Sequence, residues 1–197
     1  MFLANQYRDH NTEMLSEKDI GSTVRVCGWA ENIRDHGGIK FIDLRDHYGV
    51  VQITMQANEG LLEGVKKETA ISVEGIIIKR DPSTFNDKIA TGTIELEAHK
   101  LDILGKVRED LPFEIATSKE NNEDIRLRYR FLDMRNKKVH DNIVFRSKVM
   151  SYMREKMVEN GFLELQTPIL STSSPEGARD YLIPSRKHHG KFYALPQ

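Results

Sequence analysis

Ile39-Lys-Phe-Ile-Asp-Leu-Arg45 and Gly49-Val-Val-Gln-Ile-Thr-Met55, joined by Asp46-His-Tyr48, decide the fold. Each is a short β-rich run bounded by turn residues. Upstream, Thr23-Val-Arg-Val-Cys-Gly-Trp-Ala30 sets Val24 and Val26, with Gly28 as a further candidate, on one face. Gly37-Gly38 supplies the turn into the second run. Downstream, Leu61, Leu62 and Val65 stand at helical spacing and predict a single short helix over 59–69. Ala70-Ile-Ser-Val-Glu-Gly-Ile-Ile-Ile-Lys79 then reads as a strand with Gly75 at a bend or bulge. After the loop Asp81-Pro-Ser-Thr-Phe-Asn-Asp87, a last strand runs from Gly92 to Ile103.

Three strands, a helix and two strands is the order of an OB-fold, a small all-β Greek-key barrel, although other five-stranded barrels and open sheets share it. OB-folds bind single-stranded nucleic acid on the face of their second and third strands. In the second run, Ile39, Phe41, Asp43 and Arg45 share one face, and Lys40, Ile42 and Leu44 the other. Phe41 therefore has polar neighbours, which suits a base-stacking platform better than a barrel core; a core position on a curved strand is the alternative. Arg34 and His36 flank the turn, and Gln52 on the third strand offers both a donor and an acceptor to a base edge.

The 197 residues are 39% apolar and 30% charged, enough for a real core and unlike a disordered chain. Lys plus Arg number 29 and Asp plus Glu 30, a net charge of −1, which excludes a globally basic nucleic-acid binder but not a local basic patch. The single Cys27 excludes a disulfide framework and a cysteine zinc site, and fits a reducing compartment. No metal site is expected. Nothing approaches 18 consecutive apolar residues, and residues 1–17 read as neither a signal peptide nor an Arg-rich leader. The expectation is a soluble, cytoplasmic chain with no membrane partner.

Residues 105–122, with Pro112, read as a linker, followed by a basic stretch of Arg126, Arg128, Arg130, Arg135, Lys137 and Lys138. Alone, that stretch reads as a solvated helix face. From 136 to 159, Val139, Ile143, Met150, Met153 and Met157 recur as a buried helical stripe would, and Gly161 ends the helix. Phe162-Leu-Glu-Leu-Gln-Thr167 is an extended run closed by Pro168. Residues 191–197 look like a strand with nothing after it to pair with, as if the chain were cut inside a second domain.

Gly161-Phe-Leu-Glu-Leu-Gln-Thr-Pro-Ile-Leu170 resembles motif 1 of the class II aminoacyl-tRNA synthetases. Ser174-Pro-Glu-Gly-Ala-Arg-Asp-Tyr-Leu-Ile-Pro-Ser-Arg186 and Gly190-Lys-Phe-Tyr-Ala-Leu-Pro-Gln197 resemble the bacterial-type aspartyl-tRNA synthetases. So do Arg34-Asp-His-Gly-Gly-Ile-Lys-Phe-Ile-Asp-Leu-Arg-Asp46 and Ile125-Arg-Leu-Arg-Tyr-Arg-Phe-Leu-Asp133, in that family's order along nearly the whole chain. The resemblance implies an N-terminal fragment: an anticodon-binding OB-fold over 1–104, a hinge over 105–135, and over 136–197 the start of an α+β catalytic domain, ending before motif 2.

It also assigns roles. Phe41 falls where the family stacks the central anticodon base, Gln52 where it hydrogen-bonds an anticodon base, Arg34 where it contacts the loop, and Glu95 where it reads the first anticodon position. His36 stands where many bacterial relatives carry leucine, which resembles enzymes that charge tRNA(Asn) as well as tRNA(Asp). Pro168 falls in the dimer interface, and Glu176 in the lid loop where the family holds the aspartate ammonium. ATP and Mg²⁺ serve the full-length enzyme, whose motifs 2 and 3 would hold them. This fragment, with no catalytic residue of its own, is expected to bind neither and to be inactive alone. The alternatives are a lysyl- or asparaginyl-type class II synthetase, and a standalone OB-fold module for single strands.

Overall fold

The computed structural model describes residues 4–56, 62–107, 109–173 and 179–195. Two compact units divide the chain, 1–111 and 112–197.

The first unit is a closed five-stranded barrel: β1 (Thr23–His36), β2 (Ile39–Arg45), β3 (Val50–Gln56), β4 (Ala70–Lys79) and β5 (Ile94–Gly105), in spatial order β1-β2-β3-β5-β4. All neighbours are antiparallel except β3 and β5. The OB-fold expected from the strand order is the one found.

The alternation within each run explains the core. Val24 and Val26, Ile42 and Leu44, Val51 and Ile53, Val73 and Ile77, and Ile94 and Leu96 are each at most 1% exposed and fill the barrel. Burying each such side chain contributes about 1.5–3 kcal/mol. Residues 62–69, where a helix was expected, instead run through turns, and 57–61 lie outside the described residues. Leu62 and Val65 still pack against the core. Gly75 does sit at a bulge, where the β4–β5 register shifts between Glu74 and Gly75. A Cβ there would lie 2.2 Å from the Glu97 carbonyl oxygen, so the strands can approach only because the residue is glycine.

β1 is longer than its sequence pattern suggested, 14 residues, because a second irregularity lets it serve two neighbours. Thr23–Trp29 pairs with β4, and Trp29–His36 pairs with β2 across a register shift between Ala30 and Asn32. Ala30 is fully buried opposite Leu44, whereas Asn32 and Arg34 stand opposite Asp43 and Phe41. The inserted residue therefore reverses which face the even-numbered side chains occupy. The tight turn to β2 is made by Gly37 and Gly38 at φ of 61° and 122°.

In the second unit, α1 (Glu123–Arg128), α2 (Arg130–Asp133) and α3 (Lys137–Glu159) precede a two-stranded hairpin, β6 (Tyr181–Pro184) with β7 (Phe192–Leu195). The terminal strand thus has a partner upstream of it, which the sequence reading had missed. Asn136 caps α3, its side-chain oxygen accepting from the Lys138 and Val139 amides. Gly161, at φ 84°, closes it with paired bonds from the Gly161 amide to the Val158 carbonyl and from the Phe162 amide to that of Met157. The apolar stripe on α3 is not buried as expected. Only Val139 is; Ile143, Met150, Met153 and Met157 are 37–60% exposed, because no described element packs on that side of the helix. Residues 162–168 form no strand, and Leu163, Leu165 and Ile169 stand largely exposed.

One polar knot organises the start of this unit. Asp133, fully buried, accepts hydrogen bonds from Ser118 Oγ (2.9 Å) and Arg126 Nε (3.0 Å), and Arg130 also pairs with it. The Asn136 side-chain Nδ2 donates to the Ile115 and Ala116 carbonyls at 2.9 Å, tying 115–116 to the helix start. Burial alone would raise the Asp133 carboxyl, but the bonds from Arg126 and Ser118 and the charges of Arg126 and Arg130 outweigh it and hold it below the ordinary aspartate value. A depressed native value stabilises the fold above the unfolded value and loses that stabilisation as pH falls through the native one. Asp133→Asn should therefore speed amide hydrogen exchange over residues 115–136 at neutral pH, with the gap from the parent closing as pH falls below about 4.

Candidate nucleic-acid interface

The register of the barrel lines up one row of polar side chains on its outer face. Asn32 and Arg34 of β1 lie beside Asp43 and Phe41 of β2, and Asp43 lies opposite Gln52 of β3. Parallel pairing of Ile53 with Leu96 then brings Glu95 alongside Gln52, and Arg80 follows at the end of β4, its amide bonded to the Thr93 carbonyl.

These side chains are joined by hydrogen bonds. Arg34 grips Asp43 with two nitrogens, Nη1 to Oδ2 at 2.9 Å and Nη2 to Oδ1 at 2.7 Å, and Asn32 Nδ2 donates to the same carboxylate at 3.1 Å. Arg34 Nη2 also donates to Gln52 Oε1 at 3.3 Å, and Gln52 Nε2 donates to Glu95 Oε2 at 2.7 Å. Arg80 Nε lies 4.0 Å from Glu95 Oε2. Four of the six side chains in this row are cationic or anionic, and their charges cancel.

Phe41 stands half-buried at one end of the row, its ring facing outward as the alternation predicted, while Ile42 and Leu44 fill the barrel. The His36 ring meets it edge-on, centroids 5.7 Å apart at 74°. The structure thus brings Arg34, His36, Phe41, Gln52 and Glu95 onto one surface. Gln52 is buried rather than open, with both ends of its amide engaged, and Glu95 is only 15% exposed. Pro168 lies exposed in the second unit, and Glu176 lies outside the described residues.

Sequence reasoning passed over three members of the row, Asn32, Asp43 and Arg80. Asp43 was visible as a face-mate of Phe41 but had no partner until the β1 irregularity turned Arg34 toward it. Arg80 had no local signal, as a basic residue at a strand end before Asp-Pro reads as solvated. Its side chain is 7% exposed, and Nε and Nη1 have no hydrogen-bond partner among the described residues. A buried guanidinium with two idle donors is costly to the free protein and suited to a ligand that supplies acceptors.

Residues 24–104 match the family described as OB-fold nucleic acid binding domain, and residues 122–197 match tRNA synthetases class II (D, K and N). The barrel thus matches one of these families and the unit after it the other, in that order along the chain. The chain is 48% identical over 196 residues to the aspartate–tRNA(Asp/Asn) ligase of Chelativorans sp. strain BNC1, covering 98% of this chain and 33% of that protein. It is 49% identical over 194 residues to the enzyme of the same name from Zymomonas mobilis, covering 97% of this chain and 32% of that one. The chain spans about a third of the length of these curated relatives. Among solved structures, asparaginyl-tRNA synthetase from Pyrococcus horikoshii with asparaginyl-adenylate superposes with a TM-score of 0.77 at 25% identity, over 94% of this chain and 42% of that one. Aspartyl-tRNA synthetase from Entamoeba histolytica shares the fold, with a TM-score of 0.66 at 21% identity over 80% of this chain and 38% of that one. Among the described residues no helix is long and apolar enough to cross a membrane.

Arg80→Met keeps the bulk and removes the idle donors. Thermal melting should rise by about 2–4 °C, while affinity for an RNA stem-loop carrying an aspartate anticodon falls. A melting temperature well below the parent's would show that Arg80 is a structural cation.

Proposed function

We propose that these 197 residues are the anticodon-reading domain (1–104), hinge (105–135) and first part of the catalytic domain (136–197) of an enzyme that joins aspartate to tRNA. The observation that carries this reading is the outer-face row of Arg34, Asp43, Gln52, Glu95 and Arg80 ending at the Phe41 ring. An aromatic platform beside donors and acceptors held in fixed orientation is what single-stranded base recognition requires.

In this reading the central anticodon base stacks on Phe41, contributing about 1–3 kcal/mol. Glu95 accepts from the amino and imino groups of the first base, while Gln52 and Arg34 exchange their mutual bond for bonds to the RNA. His36, edge-on to Phe41, offers a donor or an acceptor according to tautomer, which suits a site that admits two kinds of first base and so both tRNA(Asp) and tRNA(Asn). The curated relatives named as tRNA(Asp/Asn) ligases support that choice.

For the full-length protein the proposal is formation of aspartyl-adenylate from L-aspartate and ATP, then transfer to the tRNA 3′ end in the cytoplasm. Use of ATP with Mg²⁺ is general to this class of enzyme. No group of His, Cys, Asp and Glu that could hold a metal ion occurs among the described residues, so no step through Mg²⁺ is assigned to them. Glu176 is proposed to hold the aspartate ammonium. Pro168 is proposed to lie in a homodimer interface, which the exposed Phe145, Tyr152, Met153, Leu163 and Leu165 support.

The test is binding of anticodon stem-loops to the 197-residue chain by fluorescence anisotropy. Phe41→Ala should weaken an aspartate stem-loop about 5- to 150-fold, and Glu95→Gln should reduce discrimination at the first anticodon position. The chain alone should show no aspartate-dependent ATP–pyrophosphate exchange. Equal affinity for unrelated single strands, lost uniformly in Phe41→Ala, would instead identify a general single-strand-binding module.

A further inference from the structure

Formal charge divides unevenly along the chain. Residues 1–111 carry 14 Lys and Arg against 19 Asp and Glu, a net −5, whereas residues 112–197 carry 15 against 11, a net +4. The row that carries the base-reading proposal is itself neutral, with Arg34 held by Asp43 and Arg80 beside Glu95. RNA binding draws its salt-dependent affinity from cations set against phosphates. A barrel of this charge supplies little of it, so the cations that attract RNA belong to the second unit.

Several cations of that unit are already engaged. Arg126 and Arg130 pair with Asp133, Lys137 with Asp141, Arg154 with Glu164 and Lys156 with Glu159. The turn between β6 and β7 differs from all of these. Ser185-Arg-Lys-His-His-Gly-Lys191 sets three cations and two imidazoles within seven residues, and no Asp or Glu occurs between Tyr181 and Leu195. Residues 186–191 are all exposed. Arg186, Lys187 and Lys191 make no ion pair and no side-chain hydrogen bond among the described residues.

The backbone of this turn is closed. The Ser185 amide donates to the Lys191 carbonyl at 2.9 Å, the Lys191 amide to the His188 carbonyl at 3.2 Å, and the His188 amide to Ser185 Oγ at 3.1 Å. Gly190, at φ 74°, supplies the left-handed residue that the return into β7 requires. Three like charges held on one short turn repel each other, and no carboxylate in the hairpin offsets that. A chain of phosphates does, with Arg matching a phosphate as a planar fork and Lys as a point charge.

We propose that the β6–β7 turn is a second RNA contact, in which Arg186, Lys187 and Lys191 meet backbone phosphates of the tRNA outside its anticodon stem-loop. The inference rests on the tRNA-ligase reading, in which the first unit takes the anticodon and the second begins the domain that acts at the tRNA 3′ end. It adds a contact that supplies attraction without reading sequence.

The test measures affinity of the 197-residue chain across a salt series for two RNAs, an intact tRNA(Asp) transcript and its anticodon stem-loop. Joint substitution of Arg186→Gln, Lys187→Gln and Lys191→Gln should flatten the slope of log K against log salt on the transcript by about 2, the value for three phosphates. The slope on the stem-loop should stay as in the parent. Exchanging the cations for one another, Arg186→Lys with Lys187→Arg and Lys191→Arg, should keep the parent's slope on both RNAs. A transcript slope equal to the parent's in the first triple variant would overturn the contact, as would an equal flattening on both RNAs. If instead Phe41→Ala and Glu95→Gln leave binding of both RNAs unchanged, it is the anticodon reading itself that fails.

Discussion

The structure of the barrel depends on one inserted residue in β1, between Ala30 and Asn32. Before it, even-numbered side chains point into the barrel, and the strand pairs with β4 up to Trp29, where pairing with β2 begins. After it they point outward and the strand pairs with β2 alone. A strand twice the usual length can close a five-stranded sheet only if it bends sharply, and a bulge supplies that bend together with added twist. The same residue turns Arg34 and Asn32 outward over Asp43 and leaves the far edge of β1 uncovered beyond Trp29. Closure of the core and assembly of the polar row are both consequences of one break in register.

The polar row is satisfied within itself in the free protein, except at Arg80. Arg34, Asp43, Gln52 and Glu95 donate to and accept from one another, so their side chains are held in place before any ligand arrives. Preorganisation of this kind lowers the ordering cost of binding, but each base bond must displace an internal one, and the gain per contact is small. In the proposed reading, what the arrangement supplies is discrimination. A base that cannot replace the Gln52–Glu95 or Arg34–Gln52 bond leaves a largely buried polar group unpaired, at a cost of about 1–3 kcal/mol. Arg80 is the exception, a buried cation with idle donors that burdens the free state, and in the proposed reading the bound RNA supplies its acceptors.

Much of this was legible in the sequence, for physical reasons that can be named. Alternation in Ile39–Arg45 and Val50–Gln56, interrupted at Ile39, Lys40 and Val50, is a period-2 signal, and it placed Phe41 outside the core because Ile42 and Leu44 claimed the inside. The glycine pair at 37–38 is read as a turn because few other residues accept both positive φ values. The bulge was not legible: Ala30-Glu31-Asn32 contains no glycine or proline, and the irregularity arises from barrel closure, a non-local constraint. Arg80 was hidden for the same reason, since its burial is imposed by β5 and Glu95 rather than by its neighbours in sequence. The expected burial of the α3 stripe failed differently. Helical periodicity reports that a face is apolar but not what covers it, and within this chain nothing described does.

The separation between reading and attraction follows from the same constraint. A protein with a net charge of −1 gains little from long-range attraction to a polyanion, so any RNA affinity must come from local placement of cations. A cation on the reading face would bind phosphate and base indiscriminately; pairing Arg34 with Asp43 and setting Arg80 beside Glu95 prevents that.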